Sequence, residues 1–86
     1  MKLISYDTWK KHNTGNLAAD GYWICGSDSG YGLFKSVYPK DIARVIIHET
    51  FNEEMEKYYE FVYWPHHYKG VRTQEDYIDI WCRKIK

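Results

Sequence analysis

The reactive side chains of this 86-residue sequence do not fall at the spacings that metal binding requires. His48-Glu49 begins like a zinc-hydrolase motif, but that motif needs a second histidine at its fifth position, where this sequence has Asn52. His66 and His67 are adjacent, so a regular helix or strand would not turn both towards one metal ion. No pair of cysteines or histidines has standard zinc spacing. The sequence therefore predicts no metal site and no cofactor.

A glycine-rich stretch over residues 26–32 precedes Lys35-Ser36 and has some likeness to a phosphate-binding loop. Such a loop needs its lysine and its serine or threonine directly after the closing glycine, at the start of a helix. Leu33 and Phe34 intervene here, and the residues after the glycines favour a strand. The stretch has the composition of a turn, and its serines are displaced from the centre of a nucleophile elbow. We predict no catalytic residue and no enzymatic activity.

An acidic stretch lies between His48 and Val62, with five glutamates against one lysine, in a sequence whose formal net charge is zero. The polar surroundings predict that Glu53, Glu54 and Glu56 form a solvated face, without the burial that tunes a catalytic acid. The neutral overall balance argues against a dedicated nucleic-acid binder, which normally carries a basic excess.

Aromatic residues make up 19% of the sequence and are densest from Tyr58 to Trp64. The next segment, residues 64–72, interleaves aromatic side chains with basic ones. Tyrosine and tryptophan combine a large apolar area with a polar tip, and together with arginine they dominate interface hot spots. We take the acidic stretch and this aromatic-basic loop as candidate partner-binding surfaces, with the residues Glu53, Glu54, Glu56, Tyr58, Trp64, His66, His67, Tyr68, Lys69 and Arg72.

The secondary-structure signals predict one α+β domain over residues 1–86. Its expected core is a small antiparallel sheet of about four strands in two hairpins, flanked by a short N-terminal helix and a C-terminal helix. Ser5 or Asp7 can cap the first helix. A β-prone run over 22–25, a glycine-rich turn and a return strand over 31–38 predict the first hairpin.

Two interpretations remain open for residues 41–64. The β-branched and aromatic runs 44–51 and 58–64 favour a second hairpin around a polar loop at 52–57. A helical spacing favours one long central helix instead, through Ile47, Phe51, Met55, Tyr58 and Val62. We favour the hairpin and keep the helix as the alternative.

If 58–64 is a strand, its side chains alternate between two faces. The face with Tyr59, Phe61 and Tyr63 is then the expected core side. The face with Glu60 would present Tyr58 and Trp64 to solvent, a helix or a partner.

The C-terminal segment shows helical spacing. Thr73 and Asp76 form a weak capping-box pattern, and acids precede bases, as the helix dipole favours. An apolar face follows at Tyr77, Ile78, Trp81, Cys82 and Ile85.

No apolar run approaches the roughly 20 residues that span a bilayer, and the first residues lack the apolar core of a signal peptide. We therefore expect a cytoplasmic protein without a membrane partner. In that compartment, Cys25 and Cys82 are expected to be free, buried and inert.

A short, aromatic-rich sequence without enzyme motifs resembles in type the small proteins that bacteriophages and mobile elements encode. Members of that class often bind and block a host protein. The resemblance implies a protein-binding module that inhibits a host defence or regulatory protein by surface occlusion. Weak nucleic-acid or nucleotide binding through Tyr68, Lys69 and Arg72 is the second hypothesis, and a small enzyme is the third. Pairing of sheet edges would give a homodimer.

Overall fold

A four-stranded mixed sheet carries the fold, with helices packed against it. The computed structural model describes residues 1–13, 15–29, 39–66 and 77–85. Within these residues the α+β class, a sheet of four strands and the short N-terminal helix are confirmed, although only two of the strands lie where they were predicted. The elements in chain order are β1 (Lys2–Ser5), α1 (Tyr6–Lys10), β2 (Trp23–Ser29), α2 (Pro39–Thr50), α3 (Glu53–Glu56), β3 (Tyr59–His66) and β4 (Tyr77–Lys84).

The strand order is β1-β3-β4-β2. β3 and β4 form an antiparallel pair that runs from Tyr59 opposite Lys84 to His66 opposite Tyr77, and β2 is antiparallel to β4. β1 is parallel to β3, so the prediction of a wholly antiparallel sheet is wrong. The chain leaves β1 through α1 and returns to β3 only after β2, α2 and α3, which supplies the long crossover that a parallel pair needs.

The middle of the chain combines both interpretations left open by the sequence. Residues 39–50 form helix α2, so the predicted strand over 44–51 is wrong, whereas β3 confirms the predicted strand over 58–64. The helical interpretation fails after Thr50, because Asn52 caps the separate short helix α3. Ala43 and Ile47 lie one turn apart and are buried on the sheet, and this packing outweighs the strand preference of the β-branched residues.

β3 is the best predicted strand, and both of its faces are covered. Phe61 is fully buried among residues of α2 and β4, with Tyr59 and Tyr63 packed against the same cluster, as predicted for the core side. The opposite face also carries a buried cluster, in which Val62 is 1% exposed. We refer to these as the α2 face and the α1 face of the sheet.

The predicted C-terminal helix is wrong, because residues 77–84 form the central strand β4. Ile78, Ile80 and Cys82 alternate along the strand and are all buried on the α2 face. Trp81 packs against the cluster on the opposite face, so β4 carries apolar residues on both faces, and their positions happened to match a helical spacing.

β2 extends through residues 26–29, which the sequence analysis assigned to a turn, while the predicted return strand over 31–38 lies outside the described residues. β2 changes register between Ile24 and Gly26 against β4. A Cβ atom at Gly26 would lie 2.8 Å from Cγ2 of Ile46. The glycine therefore permits the close approach of α2 to the sheet, rather than a turn.

The α1 face is closed by the N-terminal part of the chain. Ser5 caps α1 as predicted, since its Oγ accepts a hydrogen bond from the Thr8 amide at 3.2 Å. α1 thereby directs Trp9 into a cluster with Leu17 and Tyr22. The Trp9 and Tyr22 rings meet edge-on with centroids 5.6 Å apart.

Candidate functional site

The structure brings Glu53, Glu54, Met55 and Tyr58 together on and just after α3, and we call these four residues the α3 patch. The Asn52 side chain accepts a hydrogen bond from the Met55 amide at 2.8 Å and fixes the start of the helix. Both glutamates are exposed. Met55 is 41% exposed and Tyr58 is 44% exposed, and the Tyr58 amide donates a hydrogen bond to the Met55 carbonyl at 3.0 Å.

Exposed apolar side chains continue along the same end of the sheet. The Ile85 amide donates a hydrogen bond to the carbonyl of Tyr58 at 2.7 Å, so Ile85 lies beside the α3 patch. The Trp23 ring is largely exposed and meets the Tyr59 ring edge-on at 6.1 Å. This end of the sheet therefore combines an apolar surface with an acidic border.

Glu56, which the sequence analysis placed on a solvated face, is only 8% exposed. Its Oε1 lies 2.8 Å from Nδ1 of His48 on α2. α3 is a single helical turn, so its fourth residue points back towards α2 while Glu53 and Glu54 remain outside. Glu56 thus joins α3 to α2 and is not part of an exposed acidic surface.

Trp64 and His66 belong to a column of stacked rings on the α1 face. The centroids of Tyr6 and Trp64 are 3.9 Å apart, those of Trp64 and His66 are 4.9 Å apart, and those of His66 and Tyr77 are 4.2 Å apart. His66 Nε2 lies 3.0 Å from Oδ2 of Asp79. The sequence predicted that Trp64 would face solvent, a helix or a partner, and in the structure it contacts Tyr6 of helix α1. The Trp64 and His66 rings are both half-buried.

The two predicted surfaces do not form one site. Tyr58 precedes β3 and His66 ends it, so the α3 patch and the ring column are separated by roughly 20 Å of strand. The other predicted residues of the aromatic-basic loop lie outside the described residues: His67, Tyr68, Lys69 and Arg72. His66 and Tyr77, the described residues that precede and follow 67–76, are partners across the β3–β4 pair.

A polar network around Glu60 was not anticipated from the sequence. Oε1 of Glu60 accepts hydrogen bonds from the Tyr22 hydroxyl at 2.7 Å, from Nε of Arg83 at 2.7 Å and from Nη2 of the same arginine. The Arg83 guanidinium also stacks on the Tyr22 ring, 4.5 Å from its centroid. Glu60 and Arg83 face each other across β3 and β4, so only knowledge of the strand pairing would have revealed the network.

Burial and the hydrogen bond to Glu60 raise the pKa of Tyr22 from 10.0 to about 12. The unfolded chain therefore loses this proton at lower pH than the folded chain does. The folded state holds more protons between pH 10 and 12, so the free energy of unfolding should fall as the pH rises through this window. Below pH 10 the contribution is fully present. Ultraviolet titration of phenolate, compared with Tyr22→Phe, should reveal one tyrosine that ionises near pH 12; ionisation of Tyr22 near 10 would contradict the assignment.

The two cysteines are unpaired, as predicted. The Cys25 thiol lies 3.4 Å from the carbonyl of Ile80, and Cys82 is buried beneath α2. Burial raises the pKa of both thiols, which keeps them in the less reactive protonated form.

Among the described residues, no three histidine, cysteine, aspartate or glutamate side chains converge as a metal site. No helix in the described part of the chain is long and apolar enough to cross a bilayer.

No protein-family model, curated protein or solved structure matches this chain in comparisons of sequence and of fold.

Proposed function

We propose that this chain is a protein-binding module that inhibits a host protein by covering part of its surface, with the α3 patch as the contact. The observation that carries the proposal is the exposure of Met55 and Tyr58 beside two exposed glutamates. Protein interfaces have an apolar centre in which tyrosine and methionine are enriched, surrounded by a polar rim. The α3 patch has this arrangement on a small scale, and the exposed Ile85 lies beside its apolar part.

The patch is also held in place, which lowers the entropy cost of binding. Asn52 fixes the start of α3, and Glu56, the last residue of α3, contacts His48 on α2. The backbone of Tyr58 is anchored to Ile85. A partner would therefore meet side chains whose backbone is already ordered.

The charge of the patch indicates the chemistry of the partner. Glu53 and Glu54 would attract a basic rim, and Met55 and Tyr58 would pack on apolar groups within it. A basic groove that normally holds nucleic acid has this chemistry, so an acidic occupant would compete with the nucleic acid. Residues 67–72, which follow β3 in the sequence, remain candidates for a second contact.

The test is a comparison of two double variants. Wild-type protein, Glu53→Lys/Tyr58→Ser and the control Lys40→Glu/Val45→Ser are used as baits in a lysate of the native host. Bound proteins are identified by mass spectrometry, and the affinity of the captured partner is then measured by calorimetry. Val45 and Lys40 are exposed on α2. The patch variant is expected to lose at least about 2 kcal/mol of binding free energy, and the control is expected to bind like wild type.

Equal binding by wild type and by the patch variant would refute the α3 patch as the contact. Capture of nucleic acid instead of a protein, with an affinity that falls steeply with salt, would favour the nucleic-acid hypothesis. Circular dichroism of each variant shows whether the fold is retained, which separates lost contact from unfolding.

A further inference from the structure

An open cavity of about 420 Å³ lies between α2 and α3, away from the apolar part of the α3 patch. It is lined by Met1, Arg44, His48, Glu53, Glu56 and Lys57. This volume falls within the range of small-molecule sites in proteins. The lining is predominantly charged, unlike that of a site for an apolar ligand.

The dyad of His48 and Glu56 is the organised part of this cavity. Glu56 is more than nine-tenths buried. Its Oε1 lies 2.8 Å from Nδ1 of His48 and has no other polar partner in the described part of the chain. A carboxylate only accepts, so Nδ1 of His48 is the donor of this contact. The His48 side chain is 56% exposed, so the rest of its ring is accessible to a ligand.

Two cationic side chains border the same cavity, those of Arg44 and Lys57. Arg44 lies one helical turn before His48 on α2, on the same side of the helix, and Lys57 follows α3. Their ion pairs are long and exposed, at 3.6 Å from Arg44 to Asp41 and 3.7 Å from Lys57 to Glu54. Exposed pairs of this kind contribute little to stability. Both side chains can therefore exchange these partners for a ligand.

The geometry points to an anion rather than a metal ion. Although the cavity contains two glutamates and a histidine, they do not converge as a group of three metal ligands in the described structure. We propose that the cavity binds the phosphate group of a small molecule through Arg44, His48 and Lys57. Arginine offers a planar fork that matches phosphate oxygens, lysine adds charge-assisted hydrogen bonds, and the exposed imidazole can share a hydrogen bond with a phosphate group. Glu53 borders both the cavity and the α3 patch, but the phosphate would be held by Arg44, His48 and Lys57, so phosphate binding does not depend on the proposed protein contact.

Amide NMR titrations at constant ionic strength test the proposal, with inorganic phosphate, glycerol phosphate and acetate as probes. Both phosphate probes are expected to give saturable shifts at Arg44, His48 and Lys57, and acetate weaker ones. Arg44→Gln and Lys57→Gln should each weaken phosphate binding by about five- to tenfold. Lys40→Gln, which removes an exposed charge from α2 outside the cavity, should leave the affinity unchanged.

Two further variants address the roles of the acidic groups. Glu53→Gln should strengthen phosphate binding severalfold, because it removes a like charge from the lining. His48→Gln should weaken it about as much as Arg44→Gln does. Absence of saturable shifts overturns the proposal, as does equal weakening by Lys40→Gln, which indicates unspecific attraction. Acetate binding as tight as phosphate binding overturns the phosphate assignment, and binding of inorganic phosphate alone overturns a small-molecule phosphate ester as the ligand.

Discussion

Replacement of Phe61 by alanine is expected to lower the free energy of unfolding by about 3–5 kcal/mol. Phe61 is completely buried on the α2 face, where its ring lies 5.4 Å from that of Phe51. Its neighbours Ile47 and Ile80 are equally inaccessible. Ile47 lies on α2 and Ile80 on the neighbouring strand β4, and each is held by the packing of its own element, so they cannot collapse far into the vacated space. Domains of this size have a total stability of about 5–15 kcal/mol, and the variant should be close to unfolding.

Urea unfolding followed by circular dichroism measures this effect, with Val45→Ala as the matched control. Val45 lies on the exposed side of α2 and is 55% accessible. Its truncation should change the free energy of unfolding by no more than about 0.5 kcal/mol. A loss below about 1 kcal/mol in Phe61→Ala would show that this ring is not at the centre of the core.

Replacement of Glu60 by alanine is expected to cost about 2–3 kcal/mol, since hydrogen bonds to a charged group are among the strong ones. The substitution removes the acceptor shared by Tyr22 and Arg83. The Tyr22 ring is 6% exposed, so its hydroxyl would lose its bonded partner in a mostly buried position. Arg83 keeps one hydrogen bond, from Nη1 to the carbonyl of Asp20 at 3.0 Å, and is expected to suffer less.

Glu60→Gln and Glu54→Ala distinguish the network from a general effect of charge. Glutamine retains an oxygen acceptor and should lose only about half as much stability as alanine does. Glu54 has a loose, exposed pair with Lys57, so its replacement should cost less than about 1 kcal/mol. If Glu54→Ala and Glu60→Ala were equally destabilising, the network would have no special role. The ionisation of Tyr22 near pH 12 should also move down in Glu60→Ala, because a cause of the raised pKa is gone.

The sequence was most informative where local preference and tertiary environment agree. β3 was predicted because its β-branched and aromatic residues favour a strand, and alternation identified Phe61 on the core side. Ser5 was predicted as a cap because its side chain acts within one turn. The candidate residues Glu53, Glu54 and Tyr58 were likewise found from composition, and the fold leaves them exposed together.

The errors arose where the preference of a segment is overruled by its neighbours. Residues 44–50 have β-branched side chains, yet burial of one side of the segment against the sheet makes it a helix. Residues 77–84 have a helical apolar spacing, yet pairing with β2 and β3 on both sides makes them a strand. The burial of the Glu56 side chain depends on the packing of α3 against α2, which cannot be predicted from a local sequence pattern.

By itself, the sequence determined the α+β class, the first helix, the central aromatic strand and the acidic character of the α3 segment. These properties follow from side-chain preferences that act within a few residues. Only the tertiary structure decided the parallel pairing of β1, the strand conformation of β4, the burial of Glu56 and the sharing of Glu60 between Tyr22 and Arg83. These depend on residues up to 60 positions apart, and their stability comes from the contacts that form when those distant segments pack together.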